Sequence, residues 1–338
     1  MINLKKINLW ILLIIFLFIY SPPLLSFNIS HILFVISIIY IFKSYFEGTL
    51  VRFSTKFLIG FLMGLISVVL LIITILFTTR DFLAVYGVFI VVFELIPIAF
   101  AISLKIKKDK LSFIDVLNHI ILAGLIQSII SLVMFLNLNI KDFIITRFYD
   151  YYLTSDSMVY WSRLRIYGFS QSMLYGFSIT QGFIAAVCIY LSINKSPKYL
   201  LPVPFLVFSS VVNSRFGVVI FLLLTFYFIF LSLSSIKLSN VFKLLFILLI
   251  GFGGFIYLLN FIEGLSPELH SWIEEGISEI SKMIQGESTG YFVALEEMII
   301  LPSFNEVLVG TGTDKYFNPI GYNSDIGYVN DLFLGGLL

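Results

Sequence analysis

Apolar residues come in long unbroken blocks along this chain, separated by short polar segments. The blocks run to roughly 18–24 residues, the length a helix needs to cross a bilayer core of about 30 Å. They do not alternate as barrel strands would, so the pattern points to helices that satisfy their own backbone. It predicts spans at about 7–25, 29–42, 57–78, 82–103, 113–136, 173–193, 199–213, 216–235 and 241–259. A further apolar run opens near Leu332 and reaches only Leu338, too short to cross, so a tenth span is expected to continue beyond it. The expected fold is all-α: a polytopic transmembrane helical bundle of about nine or ten spans, with a large outer loop containing amphipathic helices. Its parts are a five-span region at 1–136, a first outer loop at 137–172, a four-span region at 173–259, a large outer loop at 260–330 and the start of another span at 331–338.

Composition agrees with this pattern. The chain is 59% hydrophobic and 12% charged, with a mean hydropathy of +1.03, against about 25% charge in soluble domains. A net charge of +1 supplies no basic face for a nucleic-acid partner. Cys188 is the only cysteine, so no intrachain disulfide forms, and its place inside a predicted span marks a small buried hydrophobe. The N-terminal MINLKKINLWILLIIFLFIY has a basic start and an apolar core without a small-residue cleavage site, which reads as an uncleaved signal-anchor.

Basic residues set the expected orientation. With the N-terminus in the cytoplasm, thirteen of the 21 lysines and arginines fall on that side, accompanied only by the acids Glu47 and Asp109. Both long loops then lie outside. In the second, Ser266-Pro267-Glu268 is a helix-start signature, and Leu269, Trp272, Ile273, Ile277, Ile280 and Ile284 recur at helical spacing. Acids fill the other face, with Lys282 the only basic residue. A helix that bound anionic lipid would be Lys/Arg-rich, so a lid across the top of the bundle is the better expectation.

Several chemistries lack their motifs. No G-x-x-x-x-G-K-[ST] and no H-E-x-x-H occurs, and His31, His119 and His270 stand in three separate segments, so neither a nucleotide-driven pump nor a zinc enzyme is supported. The informative residues are three outer arginines. Arg163 and Arg165 precede the span near Met173, on the side where the charge rule does not ask for them, and Arg215 breaks an apolar stretch at NSRFG. One reading makes Arg215 a snorkelling residue of a tight hairpin, and pairs Arg163 and Arg165 with Asp150 or Asp156. The other brings all three to one polyanion at the membrane surface, where the planar guanidinium fork matches phosphate oxygens. Near the end, Asp325 and Tyr328 stand before the last apolar run, residue types common at sugar-contacting entrances and in ordinary loops alike. Two acids fall within predicted spans. Asp115 stands near a helix start, where a carboxylate complements the dipole, whereas Glu94 beside Pro97 has the makings of a coupling site in a transporter. His119 is expected to make a helix–helix hydrogen bond.

Together these features resemble the Wzy-type O-antigen and capsule polymerases and the related O-antigen ligases, polytopic bacterial inner-membrane proteins with two sizeable periplasmic loops. The resemblance rests on the ten residues between Arg165 and Gly176, on Ser214-Arg215-Phe216-Gly217, and on Gly310-Thr-Gly312 followed by Ser324-Asp325-Ile326-Gly327-Tyr328. It covers about residues 160–335. It implies transfer of a growing glycan from its undecaprenyl pyrophosphate to a hydroxyl of the next lipid-linked repeat. For that reaction the chemistry of the residues suggests Arg165, Arg215 and Asp325 as catalytic, the arginines on the pyrophosphate and Asp325 as general base, with Arg163, Gly176, Tyr328 and His270 contacting substrate. The donor is already activated, so no cofactor or metal is implied. The implied partners are the lipid-linked oligosaccharide, membrane lipids, and flippase and chain-length regulator proteins. Ligases depend on a histidine in the large loop, and His270, the one candidate, sits in the amphipathic helix, which tips the reading toward polymerase. A lipid-oligosaccharide flippase using Glu94 is the rival from another class.

Overall fold

A computed structural model of the chain describes residues 7–23, 29–48, 55–77, 90–149, 165–170 and 175–233, with further helical positions scattered between Gly253 and Gln285. Among these residues every regular element is a helix. In order they are α1 (Leu9–Tyr20), α2 (Ile29–Phe46), α3 (Thr55–Phe77), a π-helical turn (Ile90–Leu95), α4 (Ile96–Lys108), α5 (Phe113–Leu136), α6 (Leu138–Ile144), a second π-helical turn (Ile145–Tyr149), α7 (Tyr175–Asn194), a 3-10 turn (Pro197–Leu200), α8 (Val203–Val211) and α9 (Arg215–Leu233). By length and composition α2, α5 and Gly176–Asn194 of α7 are sufficient to cross a membrane.

The ends of these helices follow from local chemistry. Asn8 caps α1, accepting from the Trp10 and Ile11 amides, and Ser21 closes it in a left-handed conformation with φ of 38°. Pro22 and Pro23 then forbid the continuation to residue 25 that the apolar run predicted. At α5 the Ser112 hydroxyl accepts from the Asp115 amide and the Asp115 carboxylate accepts from the Ser112 amide, a reciprocal capping box. Asp115 is therefore a cap, as its position near the helix start suggested. The loop expected at 137–172 opens with α6, because Asn137 both closes α5 and caps the next helix through the Ile140 amide. The span predicted at 82–103 is π-helical over Ile90–Leu95. Pro97 supplies no N–H to the Phe93 carbonyl, and the chain adjusts by widening the preceding turn.

The chain folds as two compact units, Met1–Leu33 with Lys105–Gly276 and Phe34–Leu104 with Ile277–Leu338. In the second, Val68 of α3 packs on Val92 of the π turn, with Phe61, Leu65, Ile72 and Phe93 around them. Glu94 follows in that turn, buried at 7% exposure.

The first unit is organised around α5. Tyr199, in the 3-10 turn, donates to Asn118 Oδ1 (2.8 Å), Ser209 lies 2.9 Å from Ser128, and the Phe208 ring meets Phe135 at 5.3 Å between centroids. The 197–212 stretch thus climbs beside α5 in the same direction, passing from near its start to near its end. Prolines 197, 202 and 204 convert the lower part of the predicted 199–213 span into a 3-10 turn, leaving α8 only nine residues long. Helix α7 runs the opposite way, with Ser178 beside Ser210, while α9 runs parallel to α7, Gly217 meeting Gly182 at one end and Phe228 meeting Tyr190 at the other. The α7–α9 contact is closer than ordinary side-chain packing allows. A Cβ on Gly182 would fall on the Gly217 carbonyl, and one on Gly217 would fall on Ser178 and Ser210. Ser178, Gly182 and Ala186 form a small-residue stripe at four-residue spacing, the kind of surface through which helices associate in lipid.

At the far end of the unit His119 receives the Asn8 amide on Nε2 (3.1 Å) and lies 2.7 Å from the Asp115 carbonyl through Nδ1. An amide N–H only donates and a carbonyl only accepts, so the ring is the neutral Nδ1–H tautomer. The helix–helix bond expected of His119 is present, made to the cap of α1. Asn8 Nδ2 also donates to Asp109 (2.9 Å), which in turn pairs with Lys105 at 2.8 Å.

Candidate functional site

Polar residues are spaced through the apolar helices of the first unit at helical intervals. Among them are Gln127, Ser128 and Ser131 on α5, Ser178 and Gln181 on α7, and Ser209, Ser210, Asn213 and Ser214 on α8 and the turn after it. All of these are buried. They cannot bond to lipid, so they bond to one another and to backbone carbonyls. Ser178 Oγ lies 2.7 Å from the Ser214 carbonyl and 2.9 Å from Ser210 Oγ, and the Ser210 hydroxyl donates to the Ser178 carbonyl. Gln181 donates to the Gly124 carbonyl across α5 and α7.

This seam ends on a non-helical strap, described over residues 165–170, at the head of the unit. Three separate elements hold it. The Ile166 amide donates to the Val212 carbonyl and the Asn213 side chain donates to the Ile166 carbonyl, each at 3.2 Å. Gln127 of α5 donates to the Tyr167 carbonyl at 3.4 Å. The Tyr149 hydroxyl donates to the Ser170 carbonyl (2.6 Å) and accepts from the Ser170 amide (2.8 Å). Gly168 passes beneath Gln127 and Ser131 with φ of +58°.

The Gly168 backbone demands glycine twice over. A Cβ there would stand 2.7 Å from Gln127 Nε2 and 2.7 Å from Ser131 Oγ, and the left-handed conformation alone costs about 1–2 kcal/mol for any other residue. Gly168→Ala is expected to lower the unfolding midpoint of the detergent-solubilised protein by several degrees, read by intrinsic fluorescence. Tyr149→Phe removes the hydroxyl that ties both backbone groups of Ser170, at about 1 kcal/mol. It is expected to accelerate proteolysis within 165–170 with little change in overall helix content, read by limited digestion and circular dichroism.

Arg165, in the strap, is buried at 6% exposure. A cation is costly to hold out of water, and its interactions strengthen as the surrounding dielectric falls. Burial pushes the neighbouring Tyr167 phenol above its ordinary range, and the Arg165 charge pulls it part of the way back. Beside the strap, Arg215 is the first residue of α9, with Ser214 Oγ accepting the Phe216 amide at 3.3 Å. The start of a 19-residue helix adds partial positive charge at the same place. The head of the unit thus joins a buried guanidinium, the origin of a second arginine and a helix N-terminus within one hydrogen-bonded frame.

The other predicted site residues distribute as follows. Gly176 is the second residue of α7, half-buried, its carbonyl accepting from Thr180. His270 is a helical position whose Nδ1 lies 3.7 Å from Glu274 of the next turn. The exposed helical positions around it, Glu263, Ser271, Glu274, Glu275, Ser278 and Lys282, are the polar face of the amphipathic pattern. Glu263, Gly264 and Pro267 are helical positions, and Ser266, the expected helix start, lies outside the described residues. Arg163, Asp325 and Tyr328, and the candidate partners Asp150 and Asp156, lie outside the described residues, as do the Arg215 side chain and, apart from Gly253, the span expected at 241–259. What the sequence reading passed over was the buried Gln, Ser and Asn set, whose signal was their helical spacing inside apolar runs. No family model, no curated protein and no solved structure matches this chain.

Proposed function

We propose that this chain is a polytopic enzyme of the bacterial inner membrane that polymerises oligosaccharide repeats carried on undecaprenyl pyrophosphate, working at the periplasmic face. One observation carries the reading: the strap that holds Arg165 is hydrogen-bonded to Val212 and Asn213, three and two residues ahead of Arg215, at the end of an apolar helical unit. Two guanidinium-bearing segments at a bundle head suit a substrate whose pyrophosphate lies at the surface and whose tail stays in lipid.

The acceptor hydroxyl oxygen attacks the anomeric carbon of the donor glycan. The bond from that carbon to the pyrophosphate oxygen breaks, and undecaprenyl pyrophosphate departs with the electron pair. Arg165 and Arg215, supported by Arg163, stabilise the charge that develops on it. The proton leaving the hydroxyl passes to Asp325. Gly176, His270 and Tyr328 are the residues to which the reading assigns contact with the sugar. The chain works among membrane lipids, receives its substrate from a flippase and answers to a chain-length regulator.

Proteoliposomes holding only this protein are expected to convert purified lipid-linked repeats into a ladder of polymer on a gel. No ladder from folded protein sinks the reading, and full-length chains transferred to a different acceptor mark a ligase instead. Asp325→Asn is expected to reduce the ladder at least a hundredfold, and an unchanged rate removes it as base. The buried Glu94 in its π turn is the observation that favours a flippase. In a deletion strain, single repeats stranded at the outer face support the polymerase and repeats stranded in the cytoplasm support the flippase.

A further inference from the structure

We propose that Asn213 is a positioning residue that fixes the separation of Arg165 and Arg215, and so sets the grip of this site on the pyrophosphate group of its lipid substrate. The inference rests on the reading given above.

Asn213 and its neighbour Val212 together satisfy both backbone polar groups of Ile166: the Val212 carbonyl takes the amide proton and the Asn213 side chain supplies a proton to the carbonyl. This is a two-bond rung between the strap and the turn that starts α9. Arg165 stands one residue before the rung on one side and Arg215 two residues after it on the other. Two bonds in opposite senses fix translation along the strap as well as distance from it, which one bond does not. The demand is chemical, because recognition of one pyrophosphate by two planar forks tolerates errors of about half an ångström.

The state of the side chain argues that placement is what Asn213 is for. It is fully buried, and it uses only its amino end. Among the described residues its Oδ1 has no hydrogen-bond donor. A buried acceptor without a donor costs stability. Departures of this kind from the rule of satisfied polar groups concentrate at functional sites. Gln127 and Tyr149 hold the strap farther along, at Tyr167 and Ser170, and tie it to α5 and the second π turn rather than to α9. Among the described residues, the hydrogen bonds of Val212 and Asn213 tie the strap to the turn that leads into the element carrying the second arginine.

Farnesyl pyrophosphate, a soluble isoprenoid pyrophosphate, serves as the probe for binding to the detergent-solubilised full chain. Saturable binding by the wild type, at least tenfold weaker in Arg165→Ala, is expected. Asn213→Ala is expected to weaken binding about tenfold. Asn213→Asp keeps the size but loses the donor, so it is expected to behave alike and carries the test if the alanine variant does not fold. The decisive variant is Arg165→Ala combined with Asn213→Asp, expected to bind no more weakly than Arg165→Ala alone, because Asn213 acts through Arg165. Wild-type affinity in folded Asn213→Ala and Asn213→Asp overturns the inference while leaving the pyrophosphate reading intact. So does a full multiplicative loss in the combined variant, which marks a general structural role. Absence of binding by the wild type overturns the pyrophosphate reading and this inference with it.

Discussion

Arg165→Ala is expected to cut the rate of polymer formation by about a hundred- to a thousandfold, the loss typical when one preorganised charge is removed from a developing anion. The size of the effect comes from the surroundings. Arg165 is held at 6% exposure on a strap fastened by Asn213, Gln127 and Tyr149, so water does not replace the lost charge in place. Arg165→Lys keeps the charge but not the planar two-pronged donor, and its rate is expected to lie between the alanine variant and the wild type. Arg215→Ala should fall in the same range. The combined Arg165→Ala and Arg215→Ala protein should lose less than the product of the two if, as proposed, both arginines act on one leaving group. Single-turnover rates on purified lipid-linked repeats make the measurement. Wild-type rates in folded Arg165→Ala and Arg215→Ala would remove both from the reaction.

The largest effect on stability is expected at Gly217. Its hydrogen faces Ser178 and Ser210 across the α7–α9 contact, so Gly217→Ala drives a methyl into backbone and hydroxyl atoms that have nowhere to retreat. The helices must part, which breaks the Ser178 bonds to the Ser214 and Ser210 carbonyls and costs about 3 kcal/mol or more. Gly182→Ala collides with the Gly217 carbonyl in the same interface. Once the helices have separated for one methyl there is room for the second, so the double variant should unfold little earlier than either single one. Gly60→Ala is the control, because a Cβ there meets nothing within 4 Å. Thermal unfolding in one detergent, with all four proteins side by side, decides the matter. Equal midpoints for Gly217→Ala and Gly60→Ala would mean that the close approach of α7 and α9 is not held in solution.

The two predictions draw on parts of the molecule that the sequence disclosed to different degrees. Helix α5 was legible to the residue, 113–136, because Ser112, Asp115 and Asn137 are local stop and start signals on a strongly apolar run. The short helix α1 was overestimated because hydropathy continues past Tyr20 while Pro22 and Pro23 end the hydrogen bonding. The same blindness of hydropathy to proline turned a 3-10 turn and nine residues of α8 into one smooth predicted span. The candidate site was legible only as separate marks. Arg165 and Arg215 were singled out by charge on the wrong side of a membrane pattern, but nothing near either one in sequence says that they share a frame. The contacts that build it reach 40 residues back to Gln127 and 47 forward to Asn213, and a non-helical strap has no periodicity of its own. The buried Gln, Ser and Asn residues were visible, and their meaning depended on which helices faced one another.

The His119 bond to the first helix has a consequence in time. Asn8 and His119 are 111 residues apart, and synthesis at about 5–20 residues per second separates their emergence by roughly 6–22 seconds. During that interval α1 is in place with its capping backbone amide still waiting for its acceptor. The first helix is thus the first made but not the first fixed, and its final seating depends on the arrival of α5. A change such as His119→Phe should therefore tell first on newly made chains, as an early window of proteolysis in pulse-labelled membranes that has closed in the mature protein.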